Sequence, residues 1–333
     1  MKHTVVFFLY LGSILNGAEQ PRNRPGLPEE YARGNKYQIE CFSHWLKKYK
    51  APIEGRDVIS FGCGTGEIEA DLAKTAKTVH GTDASKEIIA HALETHKKTN
   101  LSFEHYFAED FQSPTSYDVA LASCCFQWFE DKPKALRAIA NSLKSNGLFF
   151  ANIETQSNPK PFGITVFEDM KKDVPIIGSL LAMLPNPTGS SHPTYGELHV
   201  MLTEAGFTNI EPKMESYDWT MTAEEWRKTQ LPLLLSTPGA QMLVNSTSDN
   251  WYAKKVSEGA FWWVKMSPEE KAEHDAPFFP ESNHELIKKI RENKFCRYLF
   301  NNFLRRCLTK LQDNGNGTYT WKYETTIILA QKK

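Results

Sequence analysis

The sequence has few of the features that mark nucleic-acid-binding, metal-binding or membrane-spanning proteins. Its 39 basic and 40 acidic residues leave a formal net charge of -1, so no long-range field draws the chain to nucleic acid or anionic lipid. Its 6 cysteines include no CxxC pair and no Cys/His spacing typical of zinc, and we predict no metal. No apolar run approaches the roughly 20 residues that a membrane-spanning helix needs. These absences favour a globular protein with a small-molecule partner.

The amino terminus is predicted to be either a signal peptide or an uncleaved apolar leader, covering residues 1–20. Lys2 and His3 precede the apolar run TVVFFLYLGSIL, which has the length of a signal-peptide core. Cleavage after Ala18 would imply export. Asn16 is larger than the residue usually found three positions before a cleavage site, which slightly favours the cytoplasm. Both localisations stay open.

From residue 57 onward, short β-rich runs alternate with helical periodicity. This alternation predicts an α/β fold with a doubly wound, mostly parallel seven-stranded sheet. The predicted strands are 57–61, 79–82, 101–106, 117–122 and 148–154, and the predicted helices are 31–50, 66–77, 85–97 and 132–144.

The alternation breaks after Glu154, where prolines punctuate the chain. We predict a ligand-binding domain at 21–155, then a lid segment that returns to the sheet at 156–222, with a helix at 195–205. A largely helical cap is expected at 223–313. The tail at 314–333 begins with NGNG and is predicted to be the final strand.

The sharpest local feature is the strand DVISF followed by GCGTG at residues 62–66. Glycines at alternate positions let the chain turn tightly and let a ligand lie against the backbone. Asp83 ends the next strand 21 residues after Gly62, close to the spacing of about 20 at which an acid binds ribose hydroxyls. The alternative for the glycine loop is a bare turn, and the alternative for Asp83 is a helix N-cap residue near Ser85. The immediate start of the helix leaves little room for a pyrophosphate, so a phosphate-free nucleoside ligand is favoured.

Four segments in this order resemble the class I S-adenosylmethionine-dependent methyltransferases: GCGTG, GTDAS, AEDF, and YDVALASCCFQWFED followed by ALRAIANSLKSNGLFF. The likeness extends over about 31–154. Within the class, SCCFQWFED is similar to the corresponding run of the trans-aconitate and related carboxyl O-methyltransferases. YGELHVMLTEAGF and WTMTAEEWRKTQLP are also similar to that group in placement and type.

The resemblance implies S-adenosylmethionine as the cofactor and assigns each part of it to residues of this chain. The methionine part is assigned to the loop residues Gly62, Cys63, Gly64 and Gly66, and the ribose to Asp83 and Ala84 at the end of the second strand. The adenine is assigned to Ala108 and Glu109 of AEDF, and the sulfonium to Cys124 at the end of the fourth strand. The entrance is assigned to Tyr31 and Gln38 of the leading helix. The chain departs from the family at two positions that usually carry acids, which are Ser60 and, near the adenine amino group, Phe107.

The implied reaction is O-methylation of a small-molecule carboxylate by in-line displacement. A carboxylate is already ionised at neutral pH, so no general base is needed and positioning is the main requirement. Positioning is assigned to Gln127 and Trp128. The acceptor-site candidates are Gln127, Trp128, Tyr195, Trp219 and Arg227.

Alternatives remain for several of these assignments. Core packing is the alternative for Trp128 and for Trp226, and a solvated helix face is the alternative for Arg227. AFWWVKM at 260–266 is either an acceptor pocket or helix packing. The departures at Ser60 and Phe107 also leave open a catalytically retired protein that keeps the methyltransferase fold as a cofactor-binding or regulatory protein.

Overall fold

The computed structural model describes residues 28–156 except 114, residues 166 and 169, residues 191–235, and residues 288, 292 and 294–333. These residues belong to two compact units. The first contains 28–156, 191–219 and 321–333, and the second contains the rest. The predictions for the leader at 1–20, most of the lid and the AFWWVKM stretch lie outside the described residues, so the proposed domain boundaries stay predictions.

The central sheet has the strand order β3-β2-β1-β4-β5-β8-β6, with the short β7 pairing only with β8. Its strands are β1 Asp57–Phe61, β2 Thr78–Asp83, β3 Leu101–His105, β4 Tyr117–Ser123, β5 Leu143–Ile153, β6 Phe207–Thr222, β7 Gln312–Asp313 and β8 Thr318–Lys332. Strands β1 to β5 pair in parallel, and β8 runs antiparallel to β5. The predicted doubly wound, mostly parallel sheet is confirmed. The seven predicted strands correspond to the seven strands of the order β3-β2-β1-β4-β5-β8-β6. The two-residue β7 was not predicted.

This strand order places a switch point at the centre of the sheet. Strand β1 pairs in parallel with β2 on one side and with β4 on the other. The chain therefore leaves β1 and β4 in opposite directions across the sheet, which opens a crevice at their carboxyl ends. The GCGTG loop follows β1 and the FQW segment follows β4, so the topology brings both to this crevice.

Six described helices lie in the first unit and two in the second. The first six are α1 Pro28–Gly34, α2 Lys36–Lys48, α3 Glu67–Leu72, α4 Lys86–Thr95, α5 Lys132–Ser142 and α6 Tyr195–Glu204, and the last two are α7 Ala223–Leu235 and α8 Lys294–Leu308. The predicted cap at Ser85 is confirmed, because its hydroxyl accepts a hydrogen bond from the Ile88 N–H at 3.3 Å.

Two helix boundaries differ from the sequence prediction. The leading helix is interrupted at Asn35, whose buried side chain bonds to Thr65 instead of facing solvent. Helix α3 ends at Leu72 rather than near Lys77, because the Lys77 N–H donates to the Arg56 carbonyl at 2.9 Å and turns the chain back into β2. Both differences come from tertiary contacts that local periodicity does not report.

The core of the first unit lies against the centre of the sheet. Val119 to Ala122 of β4 are buried, and Leu136 and Ile139 of α5 pack into the same apolar cluster as Phe149 of β5. In the second unit, α7 and α8 contact each other, with Trp226 and Leu304 buried. The burial of Trp226 agrees with the packing alternative.

Across the described residues, no helix is both long enough and apolar enough to cross a membrane.

Candidate active site

The GCGTG loop adopts a conformation that glycine tolerates and other residues resist. Gly62, Gly64 and Gly66 have φ values of 66°, 57° and 88°. A Cβ on Gly62 would lie 2.4 Å from Cys125 Cβ, and one on Gly66 would lie 2.6 Å from Phe103 Cζ. The loop is therefore held between its neighbours without room for side chains at these two glycines.

Tyr31 and Gln38 lie together beside this loop. A Cβ built on Gly64 would lie 2.9 Å from Tyr31 Cε1, so the phenol ring packs directly on the glycine. The Tyr31 hydroxyl donates to Gln38 Oε1 at 3.0 Å. Burial, with the negative charge of Asp83, raises the pKa of Tyr31 well above its usual value, so the hydroxyl remains a donor. Their role at the cofactor entrance stays a prediction.

A polar network missed by the sequence analysis anchors the loop to the leading helices. The Asn35 side-chain amide donates to Thr65 Oγ1 at 3.1 Å and to Glu67 Oε2 at 3.3 Å. The Thr65 hydroxyl also donates to Glu67 Oε2, at 2.7 Å. Asn35 Oδ1 is buried and has no hydrogen-bond partner. The network leaves one strong acceptor beside the loop for a ligand.

Asp83 joins the ends of β1 and β2. Its Oδ2 accepts from the Gly64 N–H at 3.0 Å, and its Oδ1 accepts from the Ser85 N–H at 3.0 Å. Ser85, not Asp83, caps the following helix, so the capping alternative does not apply to Asp83. A carboxylate has about four acceptor positions, and the N–H groups of Ser85, Gly64 and Ala84 bond to this one, so acceptor capacity remains for a ribose hydroxyl. Burial raises the pKa of Asp83, and these N–H donors oppose that rise.

The AEDF segment forms a 3-10 turn at Ala108–Asp110 whose two acids already have protein partners. Glu109 Oε1 accepts from the Glu130 N–H at 2.7 Å, and Asp110 Oδ1 lies 2.5 Å from Lys134 Nζ. The adenine contact predicted for Ala108 and Glu109 stays a prediction. The Ala84 N–H bonds to the Asp83 carboxylate, and the Ala84 carbonyl lies 3.1 Å from His105 Nε2.

Cys124 lies at the carboxyl end of β4 with a φ of 50°, an uncommon value for a residue with a side chain. Its N–H donates to Asn152 Oδ1 at 3.1 Å, and the Asn152 amide donates to Cys124 Sγ at 3.0 Å. Burial raises the pKa of the thiol to about 11, which keeps it neutral. Cys124 can line a site, but it is not an activated nucleophile.

A buried polar group beside Cys124 was not predicted. The Tyr323 hydroxyl lies 3.5 Å from Cys124 Sγ and donates to Glu154 Oε1 at 3.3 Å. His192 Nδ1 lies 3.9 Å from Glu154 Oε2 and 3.2 Å from the Glu154 carbonyl oxygen. Burial raises the pKa of Glu154, and the charge of His192 partly opposes this. We call Glu154, His192 and Tyr323 the acceptor-side triad.

The predicted acceptor residues are only partly brought together. Gln127 is buried beside Cys124, donates to the Cys124 carbonyl at 2.8 Å, and keeps a buried Oε1 without a partner. Trp128 is half-buried, which argues against a plain core role. The Trp219 ring lies 5.7 Å from that of Tyr37, which in turn lies 5.7 Å from Tyr323. Tyr195 is half-buried at the first position of α6, and no measured contact joins it to this group. Arg227 belongs to α7 in the second unit.

These residues fit S-adenosylmethionine. The three glycines of the loop place no side chain between its backbone and the methionine part, and Asp83 retains acceptor capacity at the position expected for ribose. Two buried oxygens, Asn35 Oδ1 and Glu69 Oε2, have no hydrogen-bond partner, and such atoms are costly unless a ligand or water satisfies them. No cluster of metal-ligating side chains occurs among the described residues.

The strand order, the glycine loop and the acid at the end of β2 define a class I S-adenosylmethionine-dependent methyltransferase domain. Residues 59–149 match the family model described as a methyltransferase domain, so the chain carries such a domain.

The chain is similar to curated O-methyltransferases. It is 28% identical over 139 residues to a ubiquinone biosynthesis O-methyltransferase of Aeromonas salmonicida, covering 39% of this chain and 57% of that protein. It is 25% identical over 194 residues to a malonyl-[acyl-carrier protein] O-methyltransferase of Brevibacillus brevis, covering 55% and 66%. A ubiquinone biosynthesis O-methyltransferase of Aliivibrio fischeri is 30% identical over 128 residues, covering 36% and 54%. The chain therefore spans 54% to 66% of the length of these relatives.

Proposed function

We propose that this chain transfers a methyl group from S-adenosylmethionine to an oxygen atom of a small molecule. The observation that carries the proposal is the bond from the Gly64 N–H to Asp83 Oδ2, which fixes the glycine loop and the ribose-binding acid in one crevice. The relatives named above are all O-methyltransferases, which supports oxygen as the accepting atom.

A carboxylate is the first candidate for the acceptor. S-adenosylmethionine supplies a methyl group on a positively charged sulfur. Gln127 and Trp128, at the end of β4, would orient an acceptor in line with that group, and positioning alone can contribute on the order of 7 to 11 kcal/mol. The malonyl-[acyl-carrier protein] relative supports this class.

A hydroxyl group is the second candidate, because the acceptor-side triad offers a base. Glu154 lies within hydrogen-bond distance of Tyr323, and Tyr323 borders Cys124, which the family resemblance puts beneath the sulfonium. When a hydroxyl accepts a methyl group it loses its proton, and Glu154 with the neighbouring His192 would take that proton.

Two measurements test the proposal. Calorimetric titration with S-adenosylmethionine is expected to give micromolar affinity, whereas a retired protein that has lost its cofactor would show no binding. Transfer of label from S-adenosylmethionine is then measured on polycarboxylic acids, fatty acids and matched alcohols and phenols. Binding without transfer to oxygen in any class would leave a cofactor-binding protein and refute the proposed reaction.

Glu154→Gln separates the two acceptor classes. A carboxylate acceptor needs no base, so the variant should keep most of the activity. A hydroxyl acceptor should lose roughly 100-fold or more, as expected when a general base is removed. Glu94→Gln, which changes an exposed carboxylate on α4, is the matched control.

A further inference from the structure

Ser60 stands where related domains usually carry an acid, and its surroundings contain a carboxylate from another element. Ser60 is buried on β1, two residues before Gly62. Its hydroxyl hydrogen-bonds to the carboxylate of Glu69, which comes from α3 on the other side of the glycine loop. The space behind the loop therefore contains a carboxylate, although not at position 60.

Glu69 is an unusual residue to bury. It is 1% exposed, its Oε2 has no hydrogen-bond partner, and the charged groups that act on it are the carboxylates of Glu67 and Asp83. A buried carboxylate normally has a cationic or multiply hydrogen-bonding partner. The charges that act most strongly on Glu69 are negative, so a cationic group beside its carboxylate would lower the cost of burying it.

We propose that Glu69 has taken over the role of the acid that related domains carry at position 60, and that its carboxylate holds the methionine ammonium group of the bound cofactor. This inference rests on the proposed function. The ammonium is the cationic group at the end of the cofactor that the family resemblance puts against the loop, and it supplies both a positive charge and a donor for Oε2.

The arrangement also accounts for the neighbouring groups. Glu67 Oε2 already accepts from Thr65 and Asn35, and both oxygens of Asp83 accept from backbone N–H groups, so among these three carboxylates Glu69 is the one with a buried oxygen that has no hydrogen-bond partner. Burial raises the pKa of Glu69 to about 7, and an ammonium beside it would favour the ionised form. Glu69 is a positioning residue for the cofactor, not a group that reacts.

The test compares two ligands that differ in the amino-acid end of the cofactor, which carries the ammonium group. Calorimetry at pH 8 measures the affinity of S-adenosylhomocysteine, which has the ammonium, and of 5′-methylthioadenosine, which lacks it. Glu69→Gln is expected to weaken S-adenosylhomocysteine about tenfold or more, in line with loss of a charge-assisted bond. The affinity for 5′-methylthioadenosine should stay within about twofold, and Glu94→Gln should change neither.

Transferring the carboxylate from position 69 to position 60 provides a second test. Glu69→Ser should show the same selective loss as Glu69→Gln, and the double variant Ser60→Asp with Glu69→Ser should recover S-adenosylhomocysteine affinity to within about threefold of wild type. Failure of the double variant to recover, with its thermal unfolding intact, would overturn the inference.

The outcomes separate this inference from the proposed function. If the wild-type chain binds neither ligand, the proposed function fails and the inference fails with it. If the wild type binds both and Glu69→Gln weakens both equally, or weakens neither, only the inference is refuted.

Discussion

At the scale of single residues, burial of the Glu69 carboxylate has a consequence for stability that can be measured without any ligand. Its pKa rises from the usual 4.5 to about 7 because the side chain is buried. Between those pH values the folded chain keeps a proton that the unfolded chain has lost. The free energy of unfolding therefore falls as pH rises through this window, and the full cost is present above it. The difference corresponds to at most about 3 kcal/mol.

Asp83 also faces Glu69, and because burial raises its pKa too, it contributes a pH-dependent loss of stability of the same sign, which the Glu69 variant keeps. The carboxylates of Glu67 and Asp83 act on it as negative charges. Burial raises the pKa of the Cys63 and Cys125 thiols well above their usual value, so both stay neutral between pH 5 and pH 8. A loss of stability over this range that disappears with the carboxylate can therefore be assigned to Glu69.

We predict that Glu69→Gln makes the chain less sensitive to pH. Urea unfolding at pH 5 and pH 8 should show that wild type loses about 1 to 3 kcal/mol more stability over this range than the variant does. Glu94→Gln should behave like wild type. An identical pH dependence in wild type and Glu69→Gln would show that the buried carboxylate is not the titrating group. If Glu69→Gln is more stable than wild type at pH 8 yet binds S-adenosylhomocysteine more weakly, the Glu69 carboxylate serves ligand binding rather than stability.

At the scale of elements, the sequence predicts the helices, strands and turns that depend on residues close together in the chain. The strand–loop–helix unit around GCGTG was predicted because alternating hydrophobicity, glycine and the following helical period all lie within a short window. The break at Asn35 was not predicted, because its partner Thr65 is 30 residues away. The acceptor-side triad was missed for the same reason, since Tyr323 reaches Glu154 across 169 residues through the pairing of β8 with β5.

The glycine loop offers a matched pair of substitutions. Gly62 and Gly55 both have left-handed backbones, with φ values of 66° and 69°. A Cβ on Gly62 would lie 2.4 Å from Cys125 Cβ, whereas a Cβ on Gly55 would meet nothing within 4 Å. Both alanine variants incur about 1 to 2 kcal/mol of backbone strain, and only the first also displaces the segment after β4.

We expect Gly62→Ala to lower the free energy of unfolding by about 2 kcal/mol more than Gly55→Ala, as is common for overpacked sites. It should also abolish measurable binding of S-adenosylmethionine, while Gly55→Ala keeps it. Urea unfolding and calorimetric titration give the two readouts. Equal losses of stability would mean that Cys125 moves aside easily and that the loop is less tightly held than the geometry indicates.

At the scale of the whole molecule, the last residues of the chain complete the sheet. Strand β8 lies between β5 and β6 and runs antiparallel to β5, with Ile153 opposite Thr326. Ile327 and Ile328 are fully buried. The strand also carries Tyr323 to Glu154, so the same segment contributes both to the core and to the acceptor-side triad. We therefore expect the fold to close only when β8 is present.

We predict that a chain ending at Gly317 does not fold cooperatively. Without β8, both β5 and β6 lose a neighbour, and apolar residues of the core face solvent. Urea unfolding followed by circular dichroism should show no sigmoidal transition, whereas full-length Lys322→Ala, which changes an exposed β8 side chain, should unfold like wild type. Adding a peptide of residues 318–333 should restore the transition in a concentration-dependent way. A truncated chain that unfolds cooperatively at the wild-type midpoint would show that the parallel strands fold without β8, and that this strand serves the site rather than the fold.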